Sequence, residues 1–191
     1  RRGIADPFVE HSADQVAVVS GAPGEGGAGI QRDPPAQHRA AGETLGGVGG
    51  ILARYGAVFL ASLDQPARFV MIEGDSFEPS NATRMLFPAC GNKAAVLRHE
   101  LLPRFANSSL SLVAIEEYVT LDNIQRLIHS GDTVLLAVDN HATRHLVNGH
   151  CAGLEDVCLI SGGNDGAGPD ATGRMRRGTY GNVQVFVRRA G

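Results

Sequence analysis

Residues 68–93 constrain this chain more than any other stretch. Phe69, Val70, Met71 and Ile72 form an unbroken apolar run that reads as a buried strand. The run ends on two carboxylates, Glu73 and Asp75, then turns through Pro79, Ser80 and Asn81 into a segment carrying Arg84 and Lys93. Acids, an amide and two cations therefore gather at the carboxyl end of one strand. In an open α/β sheet that edge is where nucleotides sit.

Downstream of this stretch the chain alternates. The pattern predicts a helix over 92–105, with Ala94, Ala95, Leu97, Leu101 and Leu102 available to its buried face and Pro103 near its end. A strand over 109–119, a short helix over 121–128, a strand over 133–138, a helix over 141–154 and a strand over 157–161 follow. A glycine-rich loop, 162–178, leads to a last strand over 182–187, which arrives without a helical crossover and is free to run antiparallel. Strands separated by helices of this length mean βαβ units with right-handed crossovers. The expected fold class is α/β: a Rossmann-like, doubly wound, mostly parallel sheet with helices on both faces. At 191 residues the chain is long enough for one such domain and too short for two. It starts at Arg1 and not at Met, which reads as an excerpt or processed piece of something longer.

Residues 1–44 differ from 45–191, which is taken as the nucleotide-binding domain. The first segment is dense in Gly, Ala, Pro, Arg and Gln, and its one apolar run, Val16 to Val19, is a candidate displaced first strand over 15–20. A glycine-rich stretch follows at 21–29, but Pro34 and Pro35 forbid the helix that should come next. The missing half appears later. Gly46, Gly47 and Gly49 precede Ile51, Leu52, Tyr55, Val58, Phe59 and Ser62, whose spacing marks an apolar helix face that Gly56 weakens modestly. Residues 36–44, which stand where this second loop needs a strand, are too polar for one. Three explanations stay open: a long insertion before the helix, disorder of the segment, or a shifted reading frame in GC-rich coding.

Each motif has a chemical reading and a structural one. Gly46, Gly47 and Gly49 at a helix start let phosphates approach backbone N–H groups and the positive helix end, or simply make a tight turn that packs helix on sheet. Glu73, about 20 residues further on, favours the nucleotide, because a carboxylate there can accept both ribose hydroxyls. NAD fits the same geometry. Asn81, Arg84 and Lys93 argue against it, since hydride transfer needs no second cationic cluster whereas a triphosphate does. The structural alternative pairs Arg84 with Glu78 on a surface turn. Asp139 lies where a strand closes into a helix, placed to hold Mg²⁺, while Asp139 or Asn140 can cap the helix, and both roles are compatible. His141 and His145 stand one helical turn apart with no third ligand spaced to them, so an exposed helix is the better reading. Cys90, Cys151 and Cys158 read as small buried hydrophobes before they read as nucleophiles, Cys158 most of all.

Taken together, Glu73-Gly74-Asp75, Pro79-Ser80-Asn81, Arg84 and Gly91-x-Lys93 resemble the signature of the E1-like (ThiF/MoeB/HesA) adenylyltransferases, with Asn81-x-x-Arg84 its specific part. Asp139-Asn140-x-x-x-Arg144 followed by Asn148, the run Ser161-Gly162-Gly163, and the last strand from Gly181 to Val187 extend the resemblance from about Leu45 to Val187. The combination looks most like the ThiF-type proteins of plasmid and mobile-element gene clusters. The resemblance implies ATP and Mg²⁺ as cofactors, and an adenylyltransferase that activates the C-terminal carboxylate of a small ubiquitin-like or sulfur-carrier protein with a Gly-Gly tail. By the same resemblance Arg84, Lys93 and Asp139 are catalytic, Asp139 holds the metal, and Gly46, Gly47, Gly49, Glu73, Asp75, Asn81, Arg84 and Lys93 bind the nucleotide. It also implies a homodimer. The alternatives are a non-catalytic E1-like binding module that has lost the nucleotide site, and an NAD-binding Rossmann protein.

Composition narrows the partners. A net charge of −3, with Arg174, Arg176, Arg177, Arg188 and Arg189 read as solvated loop charge, gives no attraction to nucleic acid. Three widely spaced cysteines write neither a disulfide framework nor a zinc site, which points to a reducing cytoplasm. No apolar run approaches the roughly 20 residues of a membrane span and no signal peptide is visible, so no membrane partner is expected.

Overall fold

A computed structural model describes residues 15–19, 47–63, 65–82, 86–164, 168–169, 174–176 and 181–189. In chain order the elements are β1 Gln15–Val19, α1 Gly47–Ser62, β2 Ala67–Ile72, β3 Ser76–Phe77, a 3-10 turn at Pro79–Asn81, β4 Gly91–Asn92, α2 Lys93–Leu101, a second 3-10 turn at Leu102–Arg104, β5 Leu110–Ile115, α3 Ile124–Leu127, β6 Thr133–Leu136, α4 His141–Gly153, β7 Val157–Asn164, β8 Gly168–Pro169, β9 Met175–Arg176 and β10 Gly181–Arg188.

The main sheet has the order β10-β7-β6-β1-β2-β5. β1 sits inside it, parallel to β2 with Val16 opposite Phe69, and parallel to β6 with Val16 opposite Thr133. β5 continues parallel beyond β2, and β7 beyond β6. Only β10 runs antiparallel, Val185 facing Ile160. From β1 the chain steps outward through β2 and β5, then returns to the other side of β1 for β6 and β7. The strand order therefore reverses between β1 and β6, the switch point at which a doubly wound sheet opens a crevice.

Each face of the sheet carries its own core. On one face Phe69 and Met71 of β2 pack with Ala53, Ala57 and Leu60 of α1, Ala94, Leu97 and Leu101 of α2, and Leu112 of β5. On the other Val70 and Ile72 pack with Ile124 and Leu127 of α3, Val134 and Leu136 of β6, Val147 and Cys151 of α4, and Leu159 of β7. The continuous apolar run of β2 follows from this, because both its faces are covered. The class is α/β with a doubly wound, mostly parallel sheet and helices on both faces.

Several elements differ from the sequence pattern. α1 turns Gly49, Gly50, Ala53, Ala57 and Leu60 inward, while Ile51, Tyr55, Val58 and Phe59 lie exposed on the face the periodicity had marked. Apart from Leu60 the inner face is made of small residues, and a Cβ at Gly56 would come into van der Waals contact with the Phe69 ring at 3.4 Å. β5 stops at Ile115, where Glu116 and Glu117 begin an exposed turn. That turn is closed by Asn123, whose Oδ1 accepts from the Thr120 N–H at 2.8 Å, leaving only 124–127 helical. α2 passes into its 3-10 turn at Pro103. β7 extends through Ser161, Gly162 and Gly163 to Asn164, past the end read from sequence, because β10 pairs with its whole length. Cys158 is only half-buried within it. Of residues 1–44 only β1 is described, so the explanations weighed for 20–44 fall outside the described residues. Among the described residues no helix is long and apolar enough to cross a membrane.

Candidate functional site

The carboxyl ends of β1, β2, β5 and β6 lie side by side along one edge of the sheet. β2 delivers Glu73 to it. The Glu73 N–H donates to the Ile115 carbonyl at 3.0 Å, prolonging the β2–β5 ladder by one residue, and Glu73 is completely buried. Its Oε1 accepts from the Asp75 N–H at 2.9 Å, which bends the chain sharply outward. The turn continues into β3, which pairs with β4 and so brings Gly91, Asn92 and Lys93 back against it. Gly91 has φ +134°, a conformation few residues other than glycine adopt, and this lets the chain turn directly into α2.

Asn92 joins the two halves. Its Oδ1 accepts from the Ala94 and Ala95 N–H groups at 2.9 and 3.1 Å, capping α2, while Nδ2 donates to the Glu73 carbonyl at 2.7 Å. Lys93, 2% exposed, then donates its backbone N–H to the Asp75 carbonyl at 3.0 Å. Its Nζ stands 3.4 Å from Asp75 Oδ2. The other Asp75 oxygen, Oδ1, accepts from the hydroxyl of Tyr118, which comes from the turn after β5. Burial, reinforced by the bond to Asp75, pushes the Tyr118 phenol up to about 12, so it is a proton donor at neutral pH. The outcome is a closed group of two carboxylates, one ammonium, one amide and one phenol at the nucleotide edge of β2.

Across β1, the chain leaving β6 presents Asp139, which is exposed. Asn140 takes the capping role for α4, its Oδ1 accepting from the Thr143 N–H at 2.8 Å. Asn140 is therefore the cap, and two strand spacings, about 10 Å, separate the ends of β6 and β2. Arg144 of α4 reaches back to bind the Ser161 hydroxyl at 2.7 Å, the Gly162 carbonyl at 2.9 Å and the Val138 carbonyl. It locks the loop bearing Asp139 onto the end of β7, and a side chain at Gly163 would collide with its guanidinium.

The structure thus gathers Glu73, Asp75 and Lys93, places Asp139 on the same edge, and sets Gly47 and Gly49 at the start of α1. Asn81 lies on the turn between β3 and β4, its Oδ1 accepting from the Glu78 N–H at 3.0 Å. Gly46 and Arg84 fall outside the described residues. Among the described residues no cluster of three or more His, Cys, Asp or Glu could hold a metal on its own. Mg²⁺ that also binds phosphate and water needs only one or two carboxylates, and Asp139 beside a cap supplied by another residue fits that demand. His141 and His145 are exposed. Cys151 is fully buried and its thiol is pushed up to about 11 by burial, far from a working nucleophile.

Sequence reasoning passed over three residues. Asn92 was legible as the side chain before a helical run that starts at Lys93. Arg54 of α1 binds both Glu100 oxygens of α2 at 2.9 and 2.7 Å, the Gly50 carbonyl at 3.2 Å and the Leu86 carbonyl at 2.7 Å, and its guanidinium carbon lies 5.8 Å from the Phe87 ring centre. It fastens the glycine-rich start of α1 to α2 and to the loop before β4. Tyr118 had no local signal at all.

The ThiF family matches residues 45–191. No curated protein matches the chain. Among solved structures, E. coli MccB determined with MccA is similar at 20% identity and a TM-score of 0.49, over 78% of this chain and 37% of that one. The chain spans little more than a third of that protein's length.

Proposed function

The chain belongs to the ThiF family, and from that premise we propose that it is an ATP- and Mg²⁺-dependent adenylyltransferase activating the C-terminal carboxylate of a small ubiquitin-like or sulfur-carrier protein with a Gly-Gly tail. The observation that carries the reading is Lys93, an almost fully buried ammonium held 3.4 Å from Asp75 where β2 ends at the nucleotide edge. A buried cation costs several kcal/mol to desolvate and is kept where negative charge has to be met.

In this reading the tail carboxylate of the partner attacks the α-phosphorus of ATP. A bond forms from its oxygen to phosphorus, the bond to the bridging oxygen breaks, and pyrophosphate leaves. Lys93, together with Arg84, offsets the charge that grows on the α-phosphate oxygens. The N–H groups at the start of α1, with Gly46, Gly47 and Gly49, receive phosphates. Mg²⁺ held by Asp139 would neutralise charge on the departing pyrophosphate. Asn81, whose Oδ1 closes the turn at Pro79–Asn81, belongs to the same nucleotide-binding set. Glu73 builds the turn that presents Asp75 through Oε1, and its carboxylate is proposed to accept the ribose hydroxyls. No cysteine takes part, because the nucleophile belongs to the partner. The protein works as a homodimer in the cytoplasm.

The reading is tested by calorimetric titration with ATP and Mg²⁺ beside NAD. Micromolar ATP binding, weakened tenfold or more by Arg84→Ala and by Lys93→Ala, is the expected result. A folded chain that ignores ATP would move the assignment to a non-catalytic binding module. NAD binding in its place would sink the adenylation chemistry.

A further inference from the structure

We propose that Tyr118 is a positioning residue of the nucleotide site: its hydroxyl ties down Oδ1 of Asp75, leaves Oδ2 to face Lys93, and so fixes where the ammonium meets the ATP phosphates. The inference rests on the adenylyltransferase reading.

The first ground is how Asp75 divides its oxygens. A carboxylate free to rotate beside a buried lysine can close on it with both oxygens and cancel its charge. Here Tyr118 holds one oxygen, and the remaining contact to Nζ is a long 3.4 Å. An ammonium has three N–H donors, and this long contact, the one Lys93 Nζ makes among the described residues, leaves capacity for phosphate oxygens.

The second ground is that the surrounding chain is shaped to bring the ring in. Gly74 lies directly beneath Tyr118, and any side chain there would drive into the ring. On the other side Asn123 Nδ2 donates to the Tyr118 carbonyl at 2.8 Å and Asn123 Oδ1 accepts from Thr120, while the next residue, Val119, is 3% exposed and anchored in the core. Arg126 and Glu117 brace the same turn at 2.7 Å. A glycine on one strand end and a pinned turn on the next thus meet at a single hydrogen bond.

The experiment compares the whole chain with Tyr118→Phe, Asp75→Asn and the double variant, titrating each with ATP·Mg²⁺ and with adenosine, and checking folding by thermal unfolding. Phenylalanine keeps the ring against Gly74 and removes only the hydroxyl. The expected result is ATP affinity reduced about tenfold in Tyr118→Phe with adenosine affinity changed less than about twofold, and no further loss when the substitution is added to Asp75→Asn. A merely structural role would weaken both ligands alike and add to the effect of Asp75→Asn, and either outcome overturns the proposal. Wild-type affinity for ATP in Tyr118→Phe overturns it while leaving the adenylyltransferase reading intact. A wild-type chain that does not bind ATP overturns that reading, and this inference with it.

Discussion

Two glycines and one asparagine decide whether the β2 turn can exist. Gly91→Ala keeps room for its Cβ, which would lie 3.5 Å from Val96 Cγ2, but the φ of +134° strains any residue with a side chain. Urea unfolding is expected to show a loss of about 2 kcal/mol. Asn92→Ala removes the α2 cap and the bond to the Glu73 carbonyl together, so its expected cost of about 2 kcal/mol lies at the upper end for a helix cap. The same titration should report both, and a change below 0.5 kcal/mol, roughly a surface substitution, would contradict the geometry. These positions differ in how readable they were. Asn92 and Gly91 sit in a local Gly-Asn-Lys sequence whose turn chemistry follows from the residues themselves. Gly74 stood inside the motif as well, yet the reason for it lies in Tyr118, a ring 43 positions from Asp75 that only the β2–β5 pairing brings near.

At the scale of elements, the contact between α1 and α2 runs through Arg54 and Glu100. Hydrogen bonding to Arg54 holds the Glu100 carboxyl below its ordinary value of 4.5. A carboxylate whose folded value is depressed contributes stability that is complete above the unfolded value and is lost as pH falls through the folded one. Glu100→Gln is therefore expected to lower stability by about 1 kcal/mol at pH 7, a figure reduced for partial exposure, and to flatten the acid limb of the unfolding curve below pH 4.5. An unchanged acid limb would mean that the pair does not couple the helices. The pairing was invisible in the sequence for the reason that blurred α1 itself. Periodicity reports which residues are apolar, and α1 is apolar nearly all round, so pattern alone could not say which stripe faces the sheet. Packing on β2 settles it: the stripe that meets Phe69 and Met71 is glycine and alanine with Leu60. β2 was legible because burial on both faces leaves no polar position to confuse, whereas β5 and α3 were overrun because Val119 and Ile128 are buried without being strand or helix.

For the whole molecule, the doubly wound order explains why motifs scattered from Gly47 to Asp139 end on one edge: every parallel strand delivers its following loop there. The order also leaves a second consequence. Val48, Ile51, Tyr55, Val58 and Phe59 form a continuous stripe on α1 opposite the stripe that packs on β2, and Tyr55 and Phe59 are 72% and 61% exposed. A helix apolar on both sides is one that another surface is expected to cover. In the proposed homodimer that surface is a second copy, and the stripe becomes the centre of a two-fold interface. Replacing Tyr55 and Phe59 together by glutamate places charge where neither side chain touches the chain's own core, so folding should survive while association fails. Sedimentation velocity is expected to find a dimer for the wild-type chain and a monomer of 20.0 kDa for the double variant, with thermal unfolding of the monomer still cooperative. A wild-type chain that sediments as a monomer would sink the homodimer, and a double variant that remains dimeric would move the interface away from α1. Either result would also bear on catalysis, because α1 carries Gly47 and Gly49, proposed above to receive phosphate: an interface on its outer stripe would hold that helix, and with it the proposed phosphate site, in place from the far side.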